Sequence, residues 1–115
     1  WLSARFERLV AVDLSLEMLR LAPERAAPRV QADASHLPVA SGSVDAVVLV
    51  NMFLFPTEVD RVLGPDGALV WVNTSGDRTP IHLTADEVDA ALPGTWSGLA
   101  SEAAWGTWAV LRRAR

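Results

Sequence analysis

The chain predicts an α/β domain in which a mostly parallel sheet, with helices between its strands, is closed by an antiparallel strand pair. Three observations carry this expectation. Short apolar runs alternate with stretches whose apolar residues recur at helical spacing, the pattern of strand-helix-strand crossovers. The apolar runs end in polar residues, Asp13, Asp33, Asn51 and Asn73. The last two runs, Trp96 to Ala103 and Thr107 to Arg112, have no helix between them and read as a hairpin turning around Ala104 to Gly106.

Trp1 to Arg8 carries Leu2 and Phe6 at helical spacing, continued by Leu9, and reads as the last turns of a helix whose start precedes the chain. Leu9 to Val12 is a short strand ending at Asp13. Ser15 then caps a helix from Leu16 to about Arg25, with Glu17 in its first turn where the dipole favours an acid. Arg29 to Ala32 forms a second strand, and Asp33 to Ser43, with Pro38, reads as a connection.

Val44 to Val50 is the strongest strand signal. Its valine-rich run, broken only by Asp45, suits a central parallel strand covered on both faces. Thr57 to Leu63 is a short helix stopped by Gly64 and Pro65, and Asp66-Gly67 turns the chain into the strand Ala68 to Asn73. Thr84 and Glu87 make a capping box for a helix ending near Leu92, before Pro93 and Gly94.

With 115 residues, half of them apolar, and a net charge of -4, the chain has material for one packed domain and no disordered or collagen-like composition. It lacks cysteine, which excludes disulfides and thiolate metal sites within it. The longest uncharged apolar stretch, Ala46 to Pro56, is far shorter than the ~20 residues of a membrane helix, so no membrane partner is expected and a cytoplasmic location is the default. The ten basic residues are all arginines. They are scattered apart from Arg112, Arg113 and Arg115, which read as a solvated tail, so no nucleic-acid partner is expected.

In an open α/β sheet, ligands bind beyond the carboxyl ends of the strands. Asp13, closing a strand before a capped helix, has two oxygens that match the vicinal hydroxyls of a ribose, against the plainer reading of a turn residue. Asp33 can accept the amine proton of an adenine, with the backbone N–H of Ala34 facing a ring nitrogen, or can simply hold an Asx turn. Leu14, Met18 and Leu37 could wall a flat slot, although such residues also serve as core. Asn51 and Met52 follow the central strand and could border the reacting part of a cofactor.

His36 and His82 show no metal-ligand spacing, and His82 could meet a substrate or do no more than cap its loop. No hydrolase triad or glycosidase acid pair is legible. Trp71 reads as strand packing. Trp96, Trp105 and Trp108 read as part of the terminal sheet edge, where Trp105 could also pack beneath.

The runs AVDLSLEMLRLA (Ala11 to Ala22), QADASHLPVASGSVDAVVLVN (Gln31 to Asn51) and RVLGPDGALVWV (Arg61 to Val72), in this order and spacing, resemble the class I S-adenosylmethionine-dependent methyltransferases. The likeness is closest to the small-molecule branch of ubiquinone and menaquinone biosynthesis. The resemblance implies a Rossmann-like sheet, S-adenosylmethionine as cofactor and a small-molecule methyl acceptor. It implies that Asp13 binds the ribose and that Asp33 and Ala34 hold the adenine. Leu14, Met18 and Leu37 would flank it, Asn51 and Met52 would border the methionine end, and Arg61 to Gly67 would be structural.

No residue is assigned as catalytic and no metal is expected. The family's first strand and glycine-rich loop would precede Trp1 and are not in the sequence. The expectation is therefore a single partial domain, truncated at its N-terminus and inactive alone, with a seam between the Leu9 and Val44 strands. Homodimer formation stays open. The rivals are a nicotinamide-dependent oxidoreductase, which also places an acid after its second strand, and a noncatalytic interaction module derived from a methyltransferase.

Overall fold

The computed structural model describes residues 10–13, 29–79, 82–103 and 105–114. The expected helices at Trp1 to Arg8 and Leu16 to Arg25, with Leu14 and Met18, lie outside these residues. The chain divides into two compact units, Trp1–Pro38 and Val39–Arg115.

In the first unit, β1 (Ala11–Asp13) pairs in parallel with β2 (Arg29–Gln31), Asp13 standing opposite Gln31. Both strands are three residues long, β1 closing on Asp13 and β2 on Gln31.

The second unit contains β3 (Val44–Val50), α1 (Pro56–Val62), β4 (Leu63–Asn73), a single 3-10 turn (Gly76–Arg78), α2 (Ala85–Ala91), β5 (Trp96–Ala103) and β6 (Gly106–Arg113). Its sheet has the order β3-β4-β6-β5. Only β3–β4 is parallel; β4–β6 and β6–β5 are antiparallel.

The expectation of a mostly parallel, Rossmann-like sheet is therefore wrong. The described strands form two sheets, and antiparallel pairings are as numerous as parallel ones. The reason lies in the carboxyl-terminal hairpin. The β3–β4 crossover is parallel and the β5–β6 hairpin antiparallel, as expected, but it is β6 of that hairpin that takes the place beside β4, so the sheet continues from β4 in antiparallel pairings.

A second correction concerns β3, which stands at the edge of the four-stranded sheet rather than at its centre. Only Leu49 is buried among its residues, and Val50 is 43% exposed.

Gly64 to Gly67 is not a turn before a separate strand. The register passes from Val44 opposite Leu63 to Ala46 opposite Ala68, so this segment is an excursion within one continuous β4. Gly67 permits it: a Cβ there would lie 2.8 Å from Leu63 Cδ2 and 3.0 Å from the Gly64 carbonyl oxygen.

The core forms where cross-strand neighbours share a face. Leu69 faces Leu111 and Trp71 faces Ala109. All four are buried, in one cluster with Val88, Leu92 and Trp96. Each fully buried large apolar side chain contributes about 1.5–3 kcal/mol.

The capping box forms as its spacing predicts: Thr84 Oγ1 accepts from the Glu87 N–H (3.2 Å), and Glu87 Oε2 accepts from the Thr84 N–H (2.7 Å). The Trp71 indole N–H donates to the Leu83 carbonyl at 3.0 Å and ties the start of α2 to the sheet.

The terminal arginines are not simply a solvated tail. Arg112 donates to the Asp66 carbonyl at 3.1 Å. Arg113 ion-pairs with Asp60 (2.9 Å), donates to the Gly64 carbonyl (2.7 Å) and to that of Asp60, and lies 5.0 Å over the Trp96 ring. The Asp60 carbonyl lies in the last turn of α1, where a cation satisfies an open acceptor and the helix dipole.

Candidate functional site

Polar residues gather at the carboxyl ends of the strands in each unit. In the first, the parallel register brings the end of β1, at Asp13, beside the end of β2, two residues before Asp33. The two acids thus follow neighbouring strands on the same edge of the pair.

Asp33 opens a tight turn. Its Oδ1 accepts from the Ser35 N–H (2.9 Å) and the Ser35 hydroxyl (2.7 Å), and the His36 N–H donates to the Asp33 carbonyl (2.9 Å). These hydrogen bonds from Ser35, the backbone one foremost, hold the carboxyl below its ordinary pKa and keep it charged. Oδ2 has no hydrogen-bond partner among the described residues. The Asx turn therefore forms. Ala34 and Leu37 are half-buried beside it.

In the second unit, Asn51 leaves β3 in the left-handed region (φ 52°), which asparagine tolerates better than most residues. Its amide nitrogen donates to Thr74 Oγ1 (2.8 Å), and its Oδ1 accepts from the Thr74 N–H (2.9 Å), so the side chain brackets the ends of β3 and β4. Met52 packs against the core.

Beyond β4, a hollow of about 840 Å³ opens between the loop after Asn73, the start of α2 and the β5–β6 turn. His82 lines it, as do Thr74, Arg78, Thr107 and Trp105. Trp105 does not pack beneath the sheet edge; it is 85% exposed.

Asn73 stood among the four strand ends legible in the sequence, with no role assigned. It is fully buried, and neither polar atom of its carboxamide has a hydrogen-bond partner among the described residues. The available signal was its place on the alternating face of β4 after Leu69 and Trp71, a polar group where the pattern asks for an apolar one. Among the described residues, no group of three or more His, Asp or Glu side chains is placed to hold a metal ion, and no helix is long and apolar enough to cross a membrane.

Residues 1–71 match the model of a family described as a methyltransferase domain. The chain belongs to this family. The methyltransferase domain also has the fold of solved archaeal structures. It superposes on the PH0226 protein of Pyrococcus horikoshii OT3 with a TM-score of 0.76 and 16% identity, covering 98% of this chain and 74% of that one. A Sulfolobus solfataricus protein described as a type 11 methyltransferase gives a TM-score of 0.72 and 18% identity, over 92% of this chain and 70% of the other. At such identities the likeness speaks for the fold alone. No curated protein sequence matches the chain. The methyltransferase domain is thus a distant member of its superfamily. The matched residues 1–71 include both strand-end acids and Asn51.

Proposed function

We propose that the protein to which this domain belongs binds S-adenosylmethionine and transfers its methyl group to a small molecule, in the manner of the ubiquinone and menaquinone methyltransferases. The observation that carries this reading is the parallel β1–β2 pair within the family-matched region, which sets the strand ends leading to Asp13 and Asp33 side by side.

The residues present fit an adenosine. Asp33 keeps one oxygen without a partner among the described residues and its carboxyl ionised, which suits acceptance of an exocyclic amine proton. The Ala34 N–H would face a ring nitrogen, Asp13 would accept the two ribose hydroxyl protons, and Leu14, Met18 and Leu37 would flank the base. In the second unit, the Asn51 carboxamide is held in place by Thr74.

When bound, S-adenosylmethionine supplies an electrophilic sulfonium methyl group open to direct in-line attack. The chain's contribution is alignment of the two reactants, and no residue is assigned as a base.

Isothermal titration with S-adenosylmethionine and S-adenosylhomocysteine tests the assignment. Asp13→Ala and Asp33→Ala should each weaken binding by about tenfold or more, the loss of a charge-assisted hydrogen bond. Variants that bind as tightly as the parent would remove both residues from the site.

A further inference from the structure

β5 is the outermost strand of its sheet, and β6 covers one of its two edges. No strand lies along the other edge among the described residues. Such an edge offers a row of N–H and C=O groups to any second strand, and proteins guard it with charges, prolines, bulges or brevity. β5 has little of this protection. It runs for eight residues without proline or a basic side chain, and Glu102, near its end, is its single charge. Its register with β6 is unbroken from Trp96 opposite Arg113 to Ala103 opposite Gly106. β3, at the other side of the sheet, carries Asp45 near its start and a shift of register beside it.

Every residue of β5 after Trp96 is exposed, and Leu99 at its middle is 74% exposed. An exposed leucine alone is ordinary; the setting distinguishes this one. Side chains alternate between the faces of a strand, so Ser97, Leu99 and Ser101 share one face, and Trp96, Gly98, Ala100 and Glu102 share the other. The first face reads the same in both directions about Leu99.

A second copy turned about a two-fold axis at Leu99 sets Leu99 opposite Leu99, Ser97 opposite Ser101, and Gly98 opposite Ala100. Partners then differ by an even number of residues, so outward-pointing backbone groups of one copy meet outward-pointing groups of the other. Glu102 comes opposite Trp96 of the second copy, whose neighbour across β5–β6 is Arg113, 5.0 Å over its ring. The acid of one copy and the cation of the other thus flank one indole. The two Glu102 residues stand six positions apart along the strands, about 20 Å, well beyond the ~8 Å over which salt leaves exposed charges interacting. Any strand can use an open edge, but the palindromic face and the match of acid to arginine belong to a second copy of β5.

We propose that β5 is a homodimer interface, at which two copies join edge to edge about a two-fold axis at Leu99 and their four-stranded sheets become one continuous sheet. Both copies use the same edge, so the assembly closes at two. The contact is one pair of strands, at the small end of interface sizes, and the dimer accordingly exchanges with monomer and depends on concentration. The inference is independent of the methyltransferase reading.

Analytical ultracentrifugation of the chain should show a monomer–dimer equilibrium that shifts to dimer as concentration rises. Leu99→Lys sets two ammonium groups opposite each other and should sediment as monomer where the parent is mostly dimer, with the circular dichroism of the parent. The chain has no cysteine, so single cysteines report the register. Leu99→Cys puts its two sulfurs on directly opposed residues, with Cα atoms about 4.5–5.5 Å apart, within disulfide reach, and should oxidise rapidly to a covalent dimer. Ser97→Cys should cross-link far more slowly, because the two copies of this residue lie four positions apart, about 14 Å. Mixed with Ser101→Cys, it should cross-link readily.

A parent that stays monomeric at every concentration or grows beyond a dimer overturns the proposal. So does a dimer that Leu99→Lys leaves intact, or Ser97→Cys alone cross-linking as fast as Leu99→Cys. Should Leu99→Lys fail to fold, the cysteine rates decide.

Discussion

Arg113 does the work of several residues at once, since its guanidinium serves the Asp60 carboxylate, the carbonyls of Asp60 and Gly64 and the Trp96 ring. Its fork geometry is what lets one side chain meet acceptors in different directions. Arg113→Leu should lower stability by about 2–3 kcal/mol, because partly buried carbonyls lose charge-assisted donors; the urea midpoint measures this. Arg113→Lys should recover only part of the loss.

Asp33 makes a pH-dependent contribution of known sign. Its folded pKa lies below the ordinary value, so its charged form stabilises the turn at pH above that value, and the contribution disappears as pH falls through the depressed pKa. The Ser35 amide, followed by NMR, should therefore titrate below the usual aspartate range, and Ser35→Ala should move the midpoint back up. In the sequence, Asp33 was legible as a strand-ending acid with an Asx-turn alternative, and the turn is what forms. Arg113 was not legible, because the helix end it satisfies lies far along the chain.

Elements whose identity is written in a local code were readable. The capping box of α2, the apolar run of β3 and the two strands around Gly106 all sit close to where their residue patterns put them. Gly64-Pro65-Asp66-Gly67 was misread because turn residues also build bulges, and only a neighbouring strand tells the two apart.

Gly98 has a comparable dependence on its partner. A Cβ there would fall 1.9 Å from the Val110 carbonyl oxygen of β6. Gly98→Ala should force the hairpin apart and lose about 1–3 kcal/mol, as overpacking does, with the loss visible as a lowered melting temperature. Gly94→Ala meets no atom within 4 Å but sits at φ 83°, so its smaller penalty would come from backbone strain alone.

At the scale of the whole molecule, the pairing order was the part the sequence concealed. Helical stretches between strands imply that strands run the same way, and they do not say which strands are neighbours. That choice falls to β6, whose alternating Ala109 and Leu111 complete the face begun by Leu69 and Trp71. The strand-end residues were legible because polarity after an apolar run is a local feature. The unpaired Asn73 was not, because its isolation depends on everything packed around it.

Hydrogen exchange should reproduce this hierarchy. The amides of β4 and β6, each strand laddered on both sides, should exchange last, and those of the three-residue pair β1–β2 first. Uniform exchange rates across both sheets would contradict it.

The place of β6 between β4 and β5 also bears on how the protein is made. A ribosome delivers β4 and β5 before the strand that must lie between them. Until Gly106 to Arg113 has cleared the exit tunnel, both earlier strands wait with open backbone edges and with Trp71 and Trp96 lacking part of their cover. Nascent chains stalled short of Gly106 should therefore be bound by chaperones or degraded, whereas those released after Arg113 can zip shut in a single step.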